Sequence, residues 1–520
     1  MAVTEMTPET EPEAPAPPTA AASPGEFELL VGSGDHTSIG RLYIGFSLVF
    51  LIGALVARLV VGIDVATDGS LLGNRAPMLA TSTLVALVFL GVVPLLLGLA
   101  IHMVPLQIGS PAIAFPRATA LSLWSWLVFA VIFVTSVAVD GGIGGADERA
   151  ARLGNVSLAA MMVALALGAV CVATTVMTHR PAGMTLARVP LFSWSMLLAS
   201  VIWIVSFGAA IAHSVIGHIA AGAADSYLEN FTTGLAWLVR GPAVFMLAIP
   251  VLGIAGDAVA TATHRPLKRY GTFQGLIGAY AILSFGAWAQ VPASINTALW
   301  ALFALAIAVP VLGLLGGLAE SMRYGKVPLN AVVIGSLLAL VNLLGAALVG
   351  VVMALDTAGT GNLFNVSPVL LAEAQAVFVL AAAVAGALAG LAHWSVKVWG
   401  SEADDTTLKA AIGMVDVGGF ILALTLAVQV LVQAGHEGRG HVVFGLLAAT
   451  GALLLVVGVI GALLGSLGAA REGGGDAAED PYDGLTLEWQ TPSPAVGAER
   501  TADLVPVGSP YPLFDLKEGN

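Results

Sequence analysis

The sequence predicts an all-α integral membrane protein, and two features of its composition support this fold class. Of the 520 residues, 58% are hydrophobic and only 10% are charged, whereas soluble domains carry about 25% charged residues. The hydrophobic residues are gathered in long stretches, and about 20 apolar residues let one helix cross the hydrocarbon core of a bilayer. The chain is therefore expected to fold within lipid.

Twelve stretches are long and apolar enough to span the membrane, and short connections separate most of them. We therefore predict one bundle of twelve transmembrane helices within residues 41–470. The predicted spans are residues 43–64, 78–103, 118–140, 156–178, 189–213, 232–256, 271–291, 297–319, 330–354, 367–393, 410–433 and 442–468.

Acidic residues are concentrated at the two ends of the chain. Residues 1–40 hold 7 acidic and no basic residues, and residues 471–520 hold 10 acidic against 3 basic residues, so the ends sum to −14 while the whole chain carries −13. We predict a disordered acidic tail over residues 1–40 and a second acidic tail over residues 471–520. The acidity therefore identifies no substrate, and no nucleic-acid partner is expected.

The basic residues predict the orientation in the membrane. Ten Lys and Arg residues fall in the even-numbered connections between spans, against four in the odd-numbered connections. Because positive connections stay on the cytoplasmic side, the even connections and both termini are expected to be cytoplasmic. The N-terminal residues lack the basic start and apolar core of a secretory signal, so no cleavage is expected. We expect a multi-pass protein of a bacterial plasma membrane.

Four segments in chain order resemble subunit I of the heme-copper oxidases, the cytochrome c oxidase family. They are GDHTSIGRLY at Gly34 to Tyr43, VPLQIGSPAIAFPR at Val104 to Arg117, VPLFSWSML at Val189 to Leu197 and GLTLEWQTPSP at Gly484 to Pro494. The resemblance implies a twelve-helix subunit I-like bundle in the aerobic respiratory chain. It also implies that the partners, besides the lipid bilayer, are other membrane subunits of that chain.

The resemblance implies two hemes and one copper, held by histidines on helices two, six, seven and ten. Imidazole suits this role because it binds both iron and copper while remaining neutral. In this sequence the matching positions are Thr83 on helix two, Gly241 on helix six, Gln290 and Val291 on helix seven, and Glu373 and Gln375 on helix ten. None of them is a histidine, so we expect a degenerate member of the family that binds no cofactor.

Among the ionisable residues within predicted spans, where an unpaired charge is costly, three stand out. They are Arg58, Arg240 and Glu373. In the family, the positions of Arg240 and Glu373 face one central cavity, so we predict that these two form a buried ion pair there. The alternative is that Arg240 reaches the external headgroups and Glu373 is protonated.

Four histidines are weak candidates for an external copper site. His213 and His218 lie at the external end of helix five, and His436 and His441 are predicted on the same side. A separation of five residues places the first two about 140° apart on a helix, so sharing a metal would need a loop between them. Solvated loop histidines are the preferred interpretation.

The sequence leaves three functions open. The first is a non-catalytic pseudo-oxidase that acts as a structural, assembly or regulatory subunit, because the outer motifs are retained while the ligands are replaced. The second is an active terminal oxidase subunit I with unrecognised ligands. The third is a transporter or channel that uses the vacated cavity, with Arg240 and Glu373 as its polar site.

Overall fold

The computed structural model describes residues 32–67, 69–220, 245–284, 297–323, 327–358, 368–433, 441–472, 480–491 and 504–518. These residues are almost entirely helical, and no β-strand occurs among them. The helices belong to one compact unit, Gly34–Asn520. The all-α membrane fold class is thereby confirmed.

Twelve main helices follow one another along the chain. They are α1 (His36–Ala66), α2 (Gly73–Gln107), α3 (Pro116–Ala138), α4 (Glu148–Thr178), α5 (Leu191–Ala220), α6 (Met246–Thr263), α7 (Tyr270–Ser284), α8 (Leu302–Met322), α9 (Ala331–Ala358), α10 (Pro368–His393), α11 (Asp405–Gln433) and α12 (His441–Glu472).

Eleven of these helices are long and apolar enough to cross a membrane. The remaining one, α7, is described over 15 residues, and residues 285–291 of the predicted seventh span lie outside the described part of the chain. The described residues therefore confirm eleven of the twelve predicted spans. The predicted sixth span, 232–256, overlaps α6 only from Met246, because residues 221–244 are likewise not described.

Helices α2, α6 and α10 form the centre of the bundle. In the most apolar segment of each, 94% or more of the residues are buried. α10 is rich in alanine between Ala372 and Ala392, and small side chains allow close packing of helices in lipid. α2 includes a wide π-helical turn at Leu87–Val92, next to Pro94, whose missing N–H prevents a regular α-helical hydrogen bond there.

Helices α1 and α2 cross in backbone contact. A Cβ atom added at Gly98 would lie 2.6 Å from Cβ of Tyr43, and one added at Gly40 would lie 2.8 Å from the carbonyl oxygen of Gly98. No side chain fits at either position without moving a helix. Glycine at these two positions therefore sets the distance between α1 and α2.

The even-numbered connections and the described C-terminal residues lie at one end of the bundle. The ring nitrogens of His102, near the end of α2, are each 3.1 Å from a carbonyl oxygen, that of Thr37 at the start of α1 and that of Lys397 after α10. Arg188, before α5, donates to the carbonyl oxygen of Val507. This grouping is the one expected if all even-numbered connections share one side of the membrane.

The C-terminal residues pack against that end of the bundle. Leu487 and Trp489 lie in a buried 3-10 turn, and the amide N–H of Leu513 donates to the carbonyl oxygen of Leu485. The predicted acidic tail 471–520 thus contains two packed segments, residues 480–491 and 504–518, which we call the C-terminal strap. At the other end of the chain, α1 begins at His36, inside the predicted tail 1–40.

Candidate functional site

An ion pair inside the bundle joins α1 to α10. Nη2 of Arg58 lies 2.5 Å from Oε1 of Glu373, and the side chains are only 14% and 15% exposed. Glu373 follows the start of α10 by five residues and Arg58 precedes the end of α1 by eight. At 1.5 Å of rise per residue, the pair lies about 8–12 Å from the end that carries the odd-numbered connections.

A small cavity of about 40 Å³ adjoins the ion pair. Arg58 and Glu373 contribute to its wall, and the other lining residues are aliphatic side chains of α1, α2, α10, α11 and α12, such as Leu84, Leu380 and Leu455. An aliphatic wall cannot solvate a charge, so each member of the pair depends on the other for compensation.

Three of the six family ligand positions are described, and each side chain there makes a structural contact. Glu373 takes part in the ion pair. The Thr83 hydroxyl donates to the carbonyl oxygen of Ala80 at 2.9 Å. Gln375 is buried, and its Nε2 donates to the carbonyl oxygen of Ala346 on α9 at 3.0 Å. The other three positions, Gly241, Gln290 and Val291, lie outside the described residues.

The predicted pair between Arg240 and Glu373 remains a prediction, since Arg240 also lies outside the described residues. What the structure shows is Arg58 as a partner of Glu373. The sequence had marked Arg58 as an ionisable residue at depth. It could not give the contact because 315 residues separate the two side chains, and only the packing of α1 beside α10 brings them together.

Each of the helices α2 and α10 contains one histidine. The only histidine of α2 is His102, whose two ring nitrogens both have carbonyl partners. The only histidine of α10 is its last residue, His393, which packs against Trp394 and Trp489.

The candidate external copper site is only partly described. His213 and His218 both lie on α5, and Nδ1 of His218 is 3.1 Å from the carbonyl oxygen of Arg152. His436 lies outside the described residues, and only the backbone of His441, at the start of α12, is described. Within the described ranges, no three His, Cys, Asp or Glu side chains are grouped to hold a metal.

A buried polar cluster at the even-numbered end was not predicted from the sequence. Nε2 of Gln107 is 3.1 Å from Oδ2 of Asp257 on α6 and 3.1 Å from Oε1 of Glu488 in the C-terminal strap. Asp257 also accepts hydrogen bonds from the backbone N–H groups of Leu191 and Phe192 at the start of α5. Burial raises the pKa of the Glu488 carboxyl.

The signal for this cluster was present in the motifs. Gln107 lies in the segment VPLQIGSP and Glu488 in the segment GLTLEWQT. The two motifs are 381 residues apart, so their contact could not be read from spacing. The structure shows that they meet as parts of one cluster, which attaches the C-terminal strap to α2 and α6.

Comparison with known proteins agrees with this architecture. The family model described as cytochrome c and quinol oxidase polypeptide I matches residues 38–464. A protein described as cytochrome c oxidase subunit 1-beta in Streptomyces avermitilis is 28% identical, over 93% of this chain and 91% of its own length. Its counterpart in Nocardia farcinica is 26% identical, over 94% and 88%. Cytochrome bo(3) ubiquinol oxidase subunit 1 of Buchnera aphidicola (Baizongia pistaciae) is 24% identical, over 88% and 75%.

The family match contradicts one prediction made from the sequence. We had expected a chain that binds no cofactor, but members of the matching family carry hemes and copper. The expectation rested on the six substituted positions alone, and ligands need not lie at those positions. The described residues do not identify replacements, so heme and copper content must be measured.

Proposed function

The chain belongs to the cytochrome c and quinol oxidase polypeptide I family, and on this premise we propose that its role in the respiratory chain is non-catalytic. It would act as a structural, assembly or regulatory subunit and would not itself reduce oxygen. The proposal concerns turnover, which requires correctly placed redox centres and proton donors.

The observation that carries the proposal is the Arg58–Glu373 ion pair. Glu373 occupies a position where the family has a histidine ligand, and its carboxylate is bonded to a guanidinium at 2.5 Å. This carboxylate compensates the charge of the Arg58 guanidinium among aliphatic side chains. Gln375 and Thr83 are likewise engaged in hydrogen bonds to backbone carbonyls. These side chains support packing of the helices where the family performs redox chemistry.

The retained outer structure supports a scaffolding role. The described residues of the four family motifs lie at the ends of helices or in the C-terminal strap, and the cluster of Gln107, Asp257 and Glu488 ties three of these segments together. These buried contacts hold the helix ends and the C-terminal strap together, as a structural subunit requires. We therefore propose other respiratory-chain membrane subunits as partners, with the even-numbered connections and both termini on the cytoplasmic face of the plasma membrane.

The two alternatives make different demands on the chain. An active oxidase is favoured by the family match, and it requires ligands outside the positions identified above. A transporter requires a polar path, yet apart from the ion pair the lining of the adjoining cavity is aliphatic. The first alternative is therefore the one against which the proposal has to be tested.

Deletion of the chain from its native host tests the proposed role. We expect less assembled terminal oxidase in the membranes, measured by native gel and heme spectrum. Re-expression of the wild-type chain should restore the complex, and so should Arg58→Met/Glu373→Gln, which removes both charges together. Unchanged amounts of every oxidase complex after deletion would contradict an assembly or structural role.

A further inference from the structure

A second polar contact lies deep in the bundle, between α9 and α11. Nδ2 of Asn342 donates to Oδ1 of Asp416 at 3.0 Å, and each residue is 3% exposed. Asp416 is eleven residues after Asp405, and Asn342 is eleven residues after Ala331, the first residues of their helices. Both helices start at the even-numbered end, so the contact lies about 16 Å along them, near the middle of a hydrocarbon core about 30 Å thick.

This contact leaves two buried oxygen atoms without a hydrogen bond, Oδ2 of Asp416 and Oδ1 of Asn342. A carboxylate oxygen and an amide oxygen are both acceptors, so neither can satisfy the other. An unsatisfied polar atom in such a place is costly, and an ionised carboxylate with a single hydrogen bond is more so.

One proton would satisfy both atoms. A carboxylic acid donates through its O–H and accepts through its carbonyl oxygen, while a primary amide donates through N–H and accepts through its carbonyl oxygen. The observed N–H···Oδ1 contact is one half of the ring that an acid and an amide form together. A proton on Oδ2 of Asp416 completes the ring by donating to Oδ1 of Asn342.

The helices packed around α11 place no countercharge at this level. They are α9, α10 and α12, and the ionisable residues they and α11 contain all lie about two turns or more from the Asp416 level along their helices. Lys409 pairs with Asp405 at the end of α11, and Glu373 pairs with Arg58. The other ionisable residues of these helices are Asp356, His393, His441, Arg471 and Glu472.

We propose that Asp416 and Asn342 form a membrane-embedded proton-binding site, in which Asp416 is a carboxylic acid that donates from Oδ2 to Oδ1 of Asn342. The ligand of the site is a single proton. The packing of α9 against α11 then includes two hydrogen bonds at mid-depth and no charge. This site is separate from the ion pair and does not depend on the proposed function.

Infrared spectroscopy of the purified chain tests the site. The wild-type minus Asp416→Asn difference spectrum at neutral pH should contain the C=O stretch of one carboxylic acid, shifted in D₂O. Asn342→Leu removes both hydrogen bonds between the amide and the acid, and it should move that band to higher frequency because the acid C=O no longer accepts from Nδ2. A difference spectrum that contains carboxylate bands and no carboxylic acid band would overturn the proposal.

Thermal unfolding at several pH values supplies a second readout. Asp416→Asn keeps both hydrogen bonds as an amide pair and has no proton to lose. Because the unfolded chain releases the Asp416 proton above about pH 3.9, the wild type should lose stability relative to this variant as the pH rises through neutrality. A Tm difference that stays constant over this range would show that no proton is bound at the site.

Discussion

At the level of single residues, the membrane interior determines which polar side chains are tolerated. Arg58 and Glu373 are accommodated inside the bundle by their contact at 2.5 Å, which lets each compensate the charge of the other. Asp416 has an amide partner and no cation beside it, and two acceptor atoms remain unsatisfied there. The bundle therefore accommodates a buried carboxyl group in two ways, by an ion pair near one end of the helices and by a bound proton at mid-depth.

Glu373→Gln should lower the free energy of unfolding by about 3 kcal/mol, because it leaves the Arg58 guanidinium buried without its countercharge. The double variant Arg58→Met/Glu373→Gln should recover most of this loss, since it leaves no charge behind. Thermal unfolding in detergent measures both effects. Equal Tm values for the wild type and Glu373→Gln would show that the ion pair contributes nothing to stability.

At the level of helices, close packing depends on particular small residues. Gly98 permits α2 to contact α1 at Tyr43, and the alanines of α10 permit the burial of its most apolar segment between α6, α9 and α11. The sequence shows that such residues are abundant, with 61 glycines in the chain. It does not show which of them lie at a helix crossing, because that depends on how each helix is rotated.

Gly98→Ala should destabilise the bundle by about 1–3 kcal/mol, the usual cost of overpacking a close contact. The added Cβ would lie 2.6 Å from Cβ of Tyr43, so the helices must separate. Gly53→Ala on α1 is the matched control, because a Cβ there meets no atom within 4 Å. If the two variants unfold at the same temperature, the crossing is not as tight as described.

The Glu488 carboxyl helps to hold the C-terminal strap in place, and its protonation should affect the stability of the folded chain. Burial raises the pKa of Glu488, so the folded chain retains this proton at a pH where the unfolded chain has released it. The resulting stabilisation is complete below the ordinary pKa of about 4.3 and is lost as the pH rises through the raised value. Glu488→Gln should remove this dependence.

Thermal unfolding of the wild type and Glu488→Gln at matched pH values measures the effect. The Tm of the wild type relative to the variant should fall as the pH increases from about 4, where model glutamate titrates, to neutrality. Glu320→Gln is a suitable control, because it makes the same change at a glutamate that is exposed and is not part of the cluster. The opposite slope would mean that the hydrogen bonds from Gln107 and Trp394 outweigh the effect of burial on Glu488.

For the whole molecule, the sequence was sufficient to predict the class, the family and most of the helices. Long apolar stretches predict helices that lie in lipid, and eleven of the twelve predicted spans overlap spanning helices of the described chain. The four motifs gave the family, which the match to residues 38–464 confirms. The local sequence predicts the spans because each spanning helix must be apolar enough by itself to lie in the membrane.

Contacts between distant helices were not predictable in the same way. Arg58 was visible as a buried charge and Glu488 as part of a motif, but their partners lie 315 and 381 residues away. Asp416 lies only six residues inside the predicted eleventh span, 410–433, whereas the start of α11 at Asp405 places it three turns into the helix. The prediction that the chain binds no cofactor rested on the six substituted positions, and the family match contradicts it.

Oxygen uptake by the purified chain tests the central claim most directly. The chain would be supplied with reduced cytochrome c or a quinol, with heme and copper quantified on the same sample and cyanide as the control. The proposed non-catalytic role predicts no cyanide-sensitive uptake, whatever the cofactor content. Cyanide-sensitive oxygen consumption that scales with bound heme and copper would contradict it and establish an active oxidase with ligands outside the six substituted positions.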